Sequence, residues 1–219
     1  MQLGVVTIGQ SPRLDLLDPF RAALGSVADI REAGALDGLS DAAVRDLTPE
    51  PNETPLVTRL ASGETVVIAK ERILETLQCR IDALVSDGAA LVVVLCTGPF
   101  PRFPAPVPIL LPDPILRHLV EGILPDGKLG IVAPIAGQYP MMARKWCGYD
   151  LTLRAVDPYG PVAAMGEAVA NLTDCQLIIL DCMGFSPAHA AIARAACPRP
   201  VLLAQDVLAR TVAMLAGTG

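Results

Sequence analysis

Residues 91–98 read Leu-Val-Val-Val-Leu-Cys-Thr-Gly, and residues 177–184 read Leu-Ile-Ile-Leu-Asp-Cys-Met-Gly. Every position from Ala90 to Leu95 is apolar. An unbroken apolar run of that length marks a parallel strand covered on both faces. Both stretches end on Cys-x-Gly, and two further pairs stand in the same order around them. Gln2-Leu3-Gly4-Val5-Val6 matches Lys128-Leu129-Gly130-Ile131-Val132. Pro106-Val107-Pro108-Ile109-Leu110 and the helix after it match Pro200-Val201-Leu202-Leu203 and its helix. Three matches in one order predict a duplicated unit. The first copy is longer by about 40 residues, roughly Gly25–Thr65.

Strand and helix patterns alternate along the chain, which predicts an α/β fold with a mostly parallel sheet in each of two pseudo-symmetric lobes. Strands are expected at Leu3–Ile8, within Ala28–Gly38, and at Ala90–Leu95, Val107–Leu111, Lys128–Ala133, Leu151–Val156, Gln176–Asp181 and Val201–Ala204. Helices are expected at Pro19–Leu24, Asp41–Leu47 behind Ser40 as N-cap, Lys70–Ser86, Pro114–Leu124, Gln138–Trp146, Pro161–Leu172, a segment capped by Ser186 and Pro187, and Gln205–Leu215. Val57–Leu60 and Glu64–Ala69, separated by Ala61-Ser62-Gly63, read as a β-hairpin within the first-lobe insertion. The whole chain, 1–219, is expected to form one unit, with sub-lobes at 1–111 plus 205–219 and at 112–204.

The 219 residues carry 17 Lys+Arg and 23 Asp+Glu, a net charge of −6. That balance argues against a nucleic-acid binder, which needs a basic face. With 52% hydrophobic residues and a mean hydropathy of +0.47, a sizeable core is available. The longest apolar run, about Gly88–Cys96, falls far short of a membrane span. No signal peptide is visible, so a cytoplasmic location is expected. Six cysteines lack any CxxC pair and there are two histidines, so neither a metal site nor a disulfide framework is expected. The sequence shows no pyridoxal-lysine signature, P-loop, strand–GxGxxG–helix or G-x-S-x-G elbow, and no cofactor is expected.

In open α/β sheets, ligands bind beyond the C-terminal ends of strands. Gly9-Gln10-Ser11-Pro12-Arg13, Cys96-Thr97-Gly98 and Cys182-Met183-Gly184 all stand at such ends. If the halves pack as a pseudo-symmetric pair, Cys96 and Cys182 face one cleft from opposite sides. Two opposed thiols suit the inversion of a carbon acid: one takes the proton from one face and the other returns a proton to the opposite face. A free thiol, of pKa about 8.5, needs activation for this. Asp181 would raise the Cys182 thiol if their side chains met, but neighbours on a strand point to opposite faces. Arg13 could hold a substrate carboxylate, with Gln10, Ser11 and backbone N–H groups as further donors. Cys79, Cys175 and Cys197 read as structural, and Cys147 as an exposed thiol. His118 and His189 read as exposed helix residues, and Trp146 with Tyr149 as a packing corner.

The segments Thr7–Arg13, Leu95–Gly98, Leu180–Phe185 and Pro200–Ala204, with Ala209-Arg210, resemble the AroM protein family over essentially the whole chain. The duplicated plan is similar to the aspartate/glutamate/hydantoin racemase superfamily. That superfamily includes two-cysteine cofactor-independent racemases, single-cysteine decarboxylases and a maleate isomerase. The resemblance implies Cys96 and Cys182 as an acid/base pair. It implies a carboxylate held by the N–H groups of Thr97, Gly98, Met183 and Gly184, and a site closed by the loop Gly9–Arg13. Glutamate racemases carry Asn-Thr and Thr-His after their two cysteines, where this chain has Thr97-Gly98 and Met183-Gly184. Met183 implies a less polar pocket, and the hairpin could be a lid or a dimer contact. The expected activity is a racemase or isomerase acting on a small carboxylate. The alternatives are a single-cysteine decarboxylase or cis–trans isomerase, and a non-catalytic carboxylate-binding protein. Homo-oligomers are common in the superfamily.

Overall fold

The computed structural model describes residues 1–25 and 28–217. Residues 26 and 27 of the expected insertion, and residues 218 and 219 of the first sub-lobe, lie outside these. In the first half, β1 (Gln2–Thr7), α1 (Leu14–Leu24), β2 (Asp29–Gly34) and α2 (Asp41–Arg45) precede the hairpin strands β3 (Pro55–Arg59) and β4 (Thr65–Ala69). Then follow α3 (Leu74–Ser86), β5 (Leu91–Val94), β6 (Ile109–Leu110) and α4 (Pro112–Ile123). The second half runs β7 (Lys128–Ala133), α5 (Tyr139–Lys145), β8 (Asp150–Ala155), α6 (Ala164–Ala170), β9 (Leu177–Leu180), α7 (Pro187–Ala196), β10 (Val201–Leu203) and α8 (Ala204–Ala216).

Two four-stranded sheets result, ordered β2-β1-β5-β6 and β8-β7-β9-β10. Every strand pair within them is parallel, and the hairpin β3-β4 is antiparallel. The two orders are the same, strand for strand, and so are the registers. Leu3 pairs with Leu91 as Leu129 pairs with Leu177. The third sequence match needs a shift of two residues. Pro108 O accepts from Val92 N as Pro200 O accepts from Ile178 N, so Ile109, and not Val107, is the partner of Val201. Apolar runs alike at every position leave such a slip invisible in sequence.

Side-chain alternation sorts each central strand between two cores. Leu3, Val5, Leu91 and Val93 face a core shared by both halves, together with Leu129, Ile131, Leu177 and Ile179. Val92, Val94 and Cys96 face the first lobe's outer core. Ile178, Leu180 and Cys182 face the second's. Helix α3 and the turn that follows α6 lie close to their sheets because a glycine sits beneath each. A Cβ on Gly4 would stand 3.2 Å from Ala89 and Leu84 Cβ, and one on Gly130 would stand 2.9 Å from Leu172 Cδ1.

The insertion lies later than the sequence spacing indicates. It occupies residues 35–73, between β2 and α3, and not the segment from Gly25. Helix α1 starts at Leu14 and carries Pro19 inside it, where Pro19 had been expected to open the helix. A proline there leaves the carbonyl four residues back without its donor. That carbonyl belongs to Asp15, and Gln205 Nε2 of α8 reaches it at 3.4 Å. Ser40 caps α2 as expected, accepting from Ala43 N at 3.3 Å. Among the described residues, no helix is long and apolar enough to cross a membrane.

Gly130→Val should force Leu172 and α6 outward. The expected cost is about 1–3 kcal/mol, read as a lower urea midpoint at unchanged slope.

Candidate active site

In each sheet the chain leaves the first strand towards one edge and returns towards the other, so the switch points lie between β1 and β5 and between β7 and β9. The residues just beyond those four strands meet in one cleft: Ile8 after β1, Cys96 after β5, Pro134 after β7 and Cys182 after β9. The cleft is narrow, a cavity of about 20 Å³, and its walls include Arg13, Thr97, Gly98, Gln138, Tyr159, Met183 and Gly184. The hairpin covers it with Leu56, Val57 and Thr58.

The two cysteines have matching surroundings. Cys96 Sγ accepts from Gly98 N at 3.4 Å, and Cys182 Sγ from Gly184 N at 3.4 Å. They are 8% and 9% exposed. Burial pushes the Cys96 thiol up to about 11, against the N–H of Gly98 and the charge of Lys145. Cys182 goes up to about 12, again through burial first, with the negative charges of Cys96 and Asp181 adding to it. Both are therefore neutral thiols at neutral pH. The N–H groups of Thr97 and Met183 make no hydrogen bond among the described residues and remain donors beside the sulfurs.

Arg13 reaches the cleft but is already engaged. Its Nε and Nη2 bind Asp15 at 2.9 and 2.8 Å, and Nη2 also donates to Tyr159 Oη at 2.9 Å. Burial opposes the guanidinium charge, but Asp15 and Tyr159 outweigh it and raise its pKa. Only Nη1 is without a partner among the described residues. The Tyr159 ring lies under two cations, Arg13 at 5.5 Å and Arg59 of the hairpin at 4.6 Å. Burial, then the Cys182 charge, push its hydroxyl up to about 12.

Gly9, Gln10 and Ser11 do not line the cleft. Their polar groups hold the cover and the loop. Gln10 N donates to Arg59 O at 3.2 Å, while its side-chain Oε1 accepts from Ala61 N at 2.8 Å. Ser11 donates through N and Oγ to the Asp37 carboxylate, both at 2.7 Å. A Cβ on Gly9 would stand 2.4 Å from Arg59 O, so only glycine lets the hairpin approach. From the other lobe, Gln138 Nε2 donates to Pro55 O at 3.0 Å.

Beneath the cysteines lies a buried polar network that motif reading missed. Asp181 faces away from Cys182, as strand alternation requires, into the core shared by both halves. Its carboxylate takes Lys145 Nζ at 2.9 Å and Trp146 Nε1 at 2.8 Å. Lys145 Nζ also donates to Thr97 O at 2.8 Å, and Thr97 Oγ1 donates to Asp181 O at 3.0 Å. Asp113 Oδ1 lies 3.5 Å from the same ammonium. Side chains of Lys145 and Asp181 are wholly buried. A sequence signal existed: Asp181 is a carboxylate in an otherwise apolar strand end, which demands a cation.

His189 corrects its expected exposure. It is 3% exposed, and its Nδ1 accepts from Ser186 N at 3.1 Å, closing the turn that opens α7. Burial lowers its pKa. Cys79 is exposed on α3, so it is not core filler, and Cys147 is exposed as expected. Cys175 and Cys197 are buried. Trp146 and Tyr149 pack edge to face with centroids 6.5 Å apart.

Two parallel half-sheets of one order, meeting at their switch points, make a fold that the chain shares with solved racemases, an isomerase and a decarboxylase. An arylmalonate decarboxylase shares it at a TM-score of 0.60 and 17% identity, over 100% of this chain and 94% of that one. The maleate isomerase Iso from Pseudomonas putida S16 does so at 0.60 and 12%, over 99% and 93%. The glutamate racemase from Aquifex pyrophilus does so at 0.58 and 16%, over 98% and 84%. At such identities the likeness is one of fold. Within that fold the chain belongs to the AroM family, whose model, described as AroM protein, matches residues 3–216. No curated protein matches the chain.

Lys145→Met leaves the Asp181 carboxylate buried without its cation, and should cost about 3–5 kcal/mol. Adding Asp181→Leu should recover much of that loss in urea unfolding. The thiols set a second expectation. Unfolded, both titrate near 9.0, but in the fold only at about 11 and about 12. Across that window the unfolded chain has released protons that the fold retains, so stability falls as pH rises from 9.0. Replacing both cysteines with alanine should flatten the fall, measured as unfolding midpoints at a series of alkaline pH values.

Proposed function

We propose that the protein is a cofactor-independent racemase or isomerase of a small carboxylate, with Cys96 and Cys182 as its opposed acid and base. The observation that carries this reading is the convergence of the two repeats' strand-end cysteines on one cleft, each with the same N–H contact from the residue two further on. One sulfur, as thiolate, takes the proton from the carbon beside the carboxylate and becomes a thiol. The electron pair left on carbon delocalises into the carboxylate. The other thiol gives its proton to the opposite face and becomes the thiolate, so charge and protons balance. The N–H groups of Thr97 and Met183, with Arg13 Nη1, hold the carboxylate as its charge grows. Those of Gly98 and Gly184 stay with the sulfurs. Gly9, Gln10 and Ser11 act at one remove, by holding the hairpin and the Arg13 loop. A thiolate formed against burial is a strong base, which a weakly acidic C–H requires.

A second reading follows from the thiols being held neutral: a carboxylate-binding protein without turnover. Their unequal neighbours, Lys145 for Cys96 and Arg13 for Cys182, suit a single-cysteine decarboxylase or cis–trans isomerase instead.

The deciding experiment follows solvent deuterium into pooled amino acids, hydantoins, arylacetates and dicarboxylates by NMR. With two catalytic thiols, Cys96→Ala and Cys182→Ala each lower exchange by about 100-fold or more. Loss in one variant alone selects single-cysteine chemistry. No exchange by a folded protein that binds a carboxylate selects the binder and overturns the racemase.

A further inference from the structure

We infer that the cleft takes a carboxylate whose remainder is uncharged and apolar, and rejects zwitterionic amino acids. This deepens the proposed function by naming a substrate class, and rests on that reading only for the reaction, not for binding. Three features of the cleft carry it. First, its walls are apolar: Ile8, Leu16, Leu56, Val57, Leu95 and Met183 contribute from both lobes and from the hairpin. Second, no aspartate or glutamate is among the residues that line it, and its single charged side chain is Arg13. An α-ammonium brought into such a site loses its hydration and meets no counter-ion, which is strongly unfavourable.

Third, the nearby carboxylates are committed elsewhere. Asp15 is paired with Arg13 through both oxygens. Asp181 lies on the far side of its strand, with both oxygens on Lys145 and Trp146. Asp181 cannot turn to an ammonium without breaking a buried ion pair, nor can Asp15 without leaving the buried Arg13 guanidinium unpaired. The residues that follow the two cysteines, Thr97-Gly98 and Met183-Gly184, supply backbone donors suited to an anion and no anionic acceptor. Of the cover's residues, Thr58 alone brings a polar group: its hydroxyl is buried and has no hydrogen-bond partner among the described residues.

The test compares ligands that differ only in an ammonium against a methyl on the carbon beside the carboxylate. Leucine is set against 2,4-dimethylpentanoate, and the smaller alanine against isobutyrate. Binding is read at neutral pH from the methyl NMR signal of Met183, identified by its loss in Met183→Leu. Deuterium exchange at the same carbon is followed in the same samples. The methyl-bearing member of at least one pair should shift the Met183 signal with an affinity tenfold or more above its ammonium partner. Equal or tighter binding of the amino acid in either pair overturns the inference, as does no shift with any of the four. Binding of the methyl-bearing acids without exchange upholds the inference and counts against the racemase. Exchange of the amino acids upholds the racemase and overturns the inference.

Discussion

The Lys145 ammonium sits where no water reaches it, and each of its donors points at one part of the molecule that must stay in place. One goes to the carbonyl of Thr97, next to Cys96 in the first half. Another goes to Asp181, next to Cys182 in the second. A third direction is taken by Asp113 on α4. A buried charge has few ways to be satisfied, and losing a partner is costly, so such a contact fixes distances more firmly than apolar packing does. Here it fixes the spacing of the two strand ends, and so the spacing of the two thiols. The separation of the sulfurs is therefore a property of this network as much as of the sheets.

The duplication makes the cleft, and departures from it give the cleft its character. Leu95 and Asp181 occupy equivalent places, one apolar and one charged, so the ion pair at the centre of the network comes from the second half alone. The hairpin occurs only in the first half, yet it is gripped from both. Gln10 holds its turn, Gln138 holds its start, and the stacking of Arg59 on Tyr159 bridges the lobes. Closing the cleft in this way removes water from the sulfurs. That raises both thiols and, for the same reason, strengthens each N–H aimed at an anion.

Several elements were plain in the chain itself. The repeat, the parallel strands, the hairpin and the two strand-end cysteines all follow from local pattern, because strand alternation, apolar runs and turn residues act over a few positions. Helix α1 was missed as far back as Leu14 because Pro19 usually opens a helix, and only the contact from Gln205, distant in the chain, shows how an internal proline is accommodated. His189 looked like an exposed helix residue because its partner is the backbone of Ser186, which no composition reveals. Gln10 and Ser11 looked like ligands because polar residues at a strand end commonly are; whether they face the cleft or the hairpin depends on where residues 35–73 fold.

By itself the sequence determined the two-lobed α/β plan and the equivalent strand-end places of Cys96 and Cys182, since both rest on short repeated patterns. The tertiary structure decided what the cysteines face. It buried them under a cover drawn from an insertion, paired Arg13 with Asp15, and turned Asp181 away to Lys145. Each of these depends on residues far apart in the chain meeting at a common point. Desolvation and charge pairing exist only once they do.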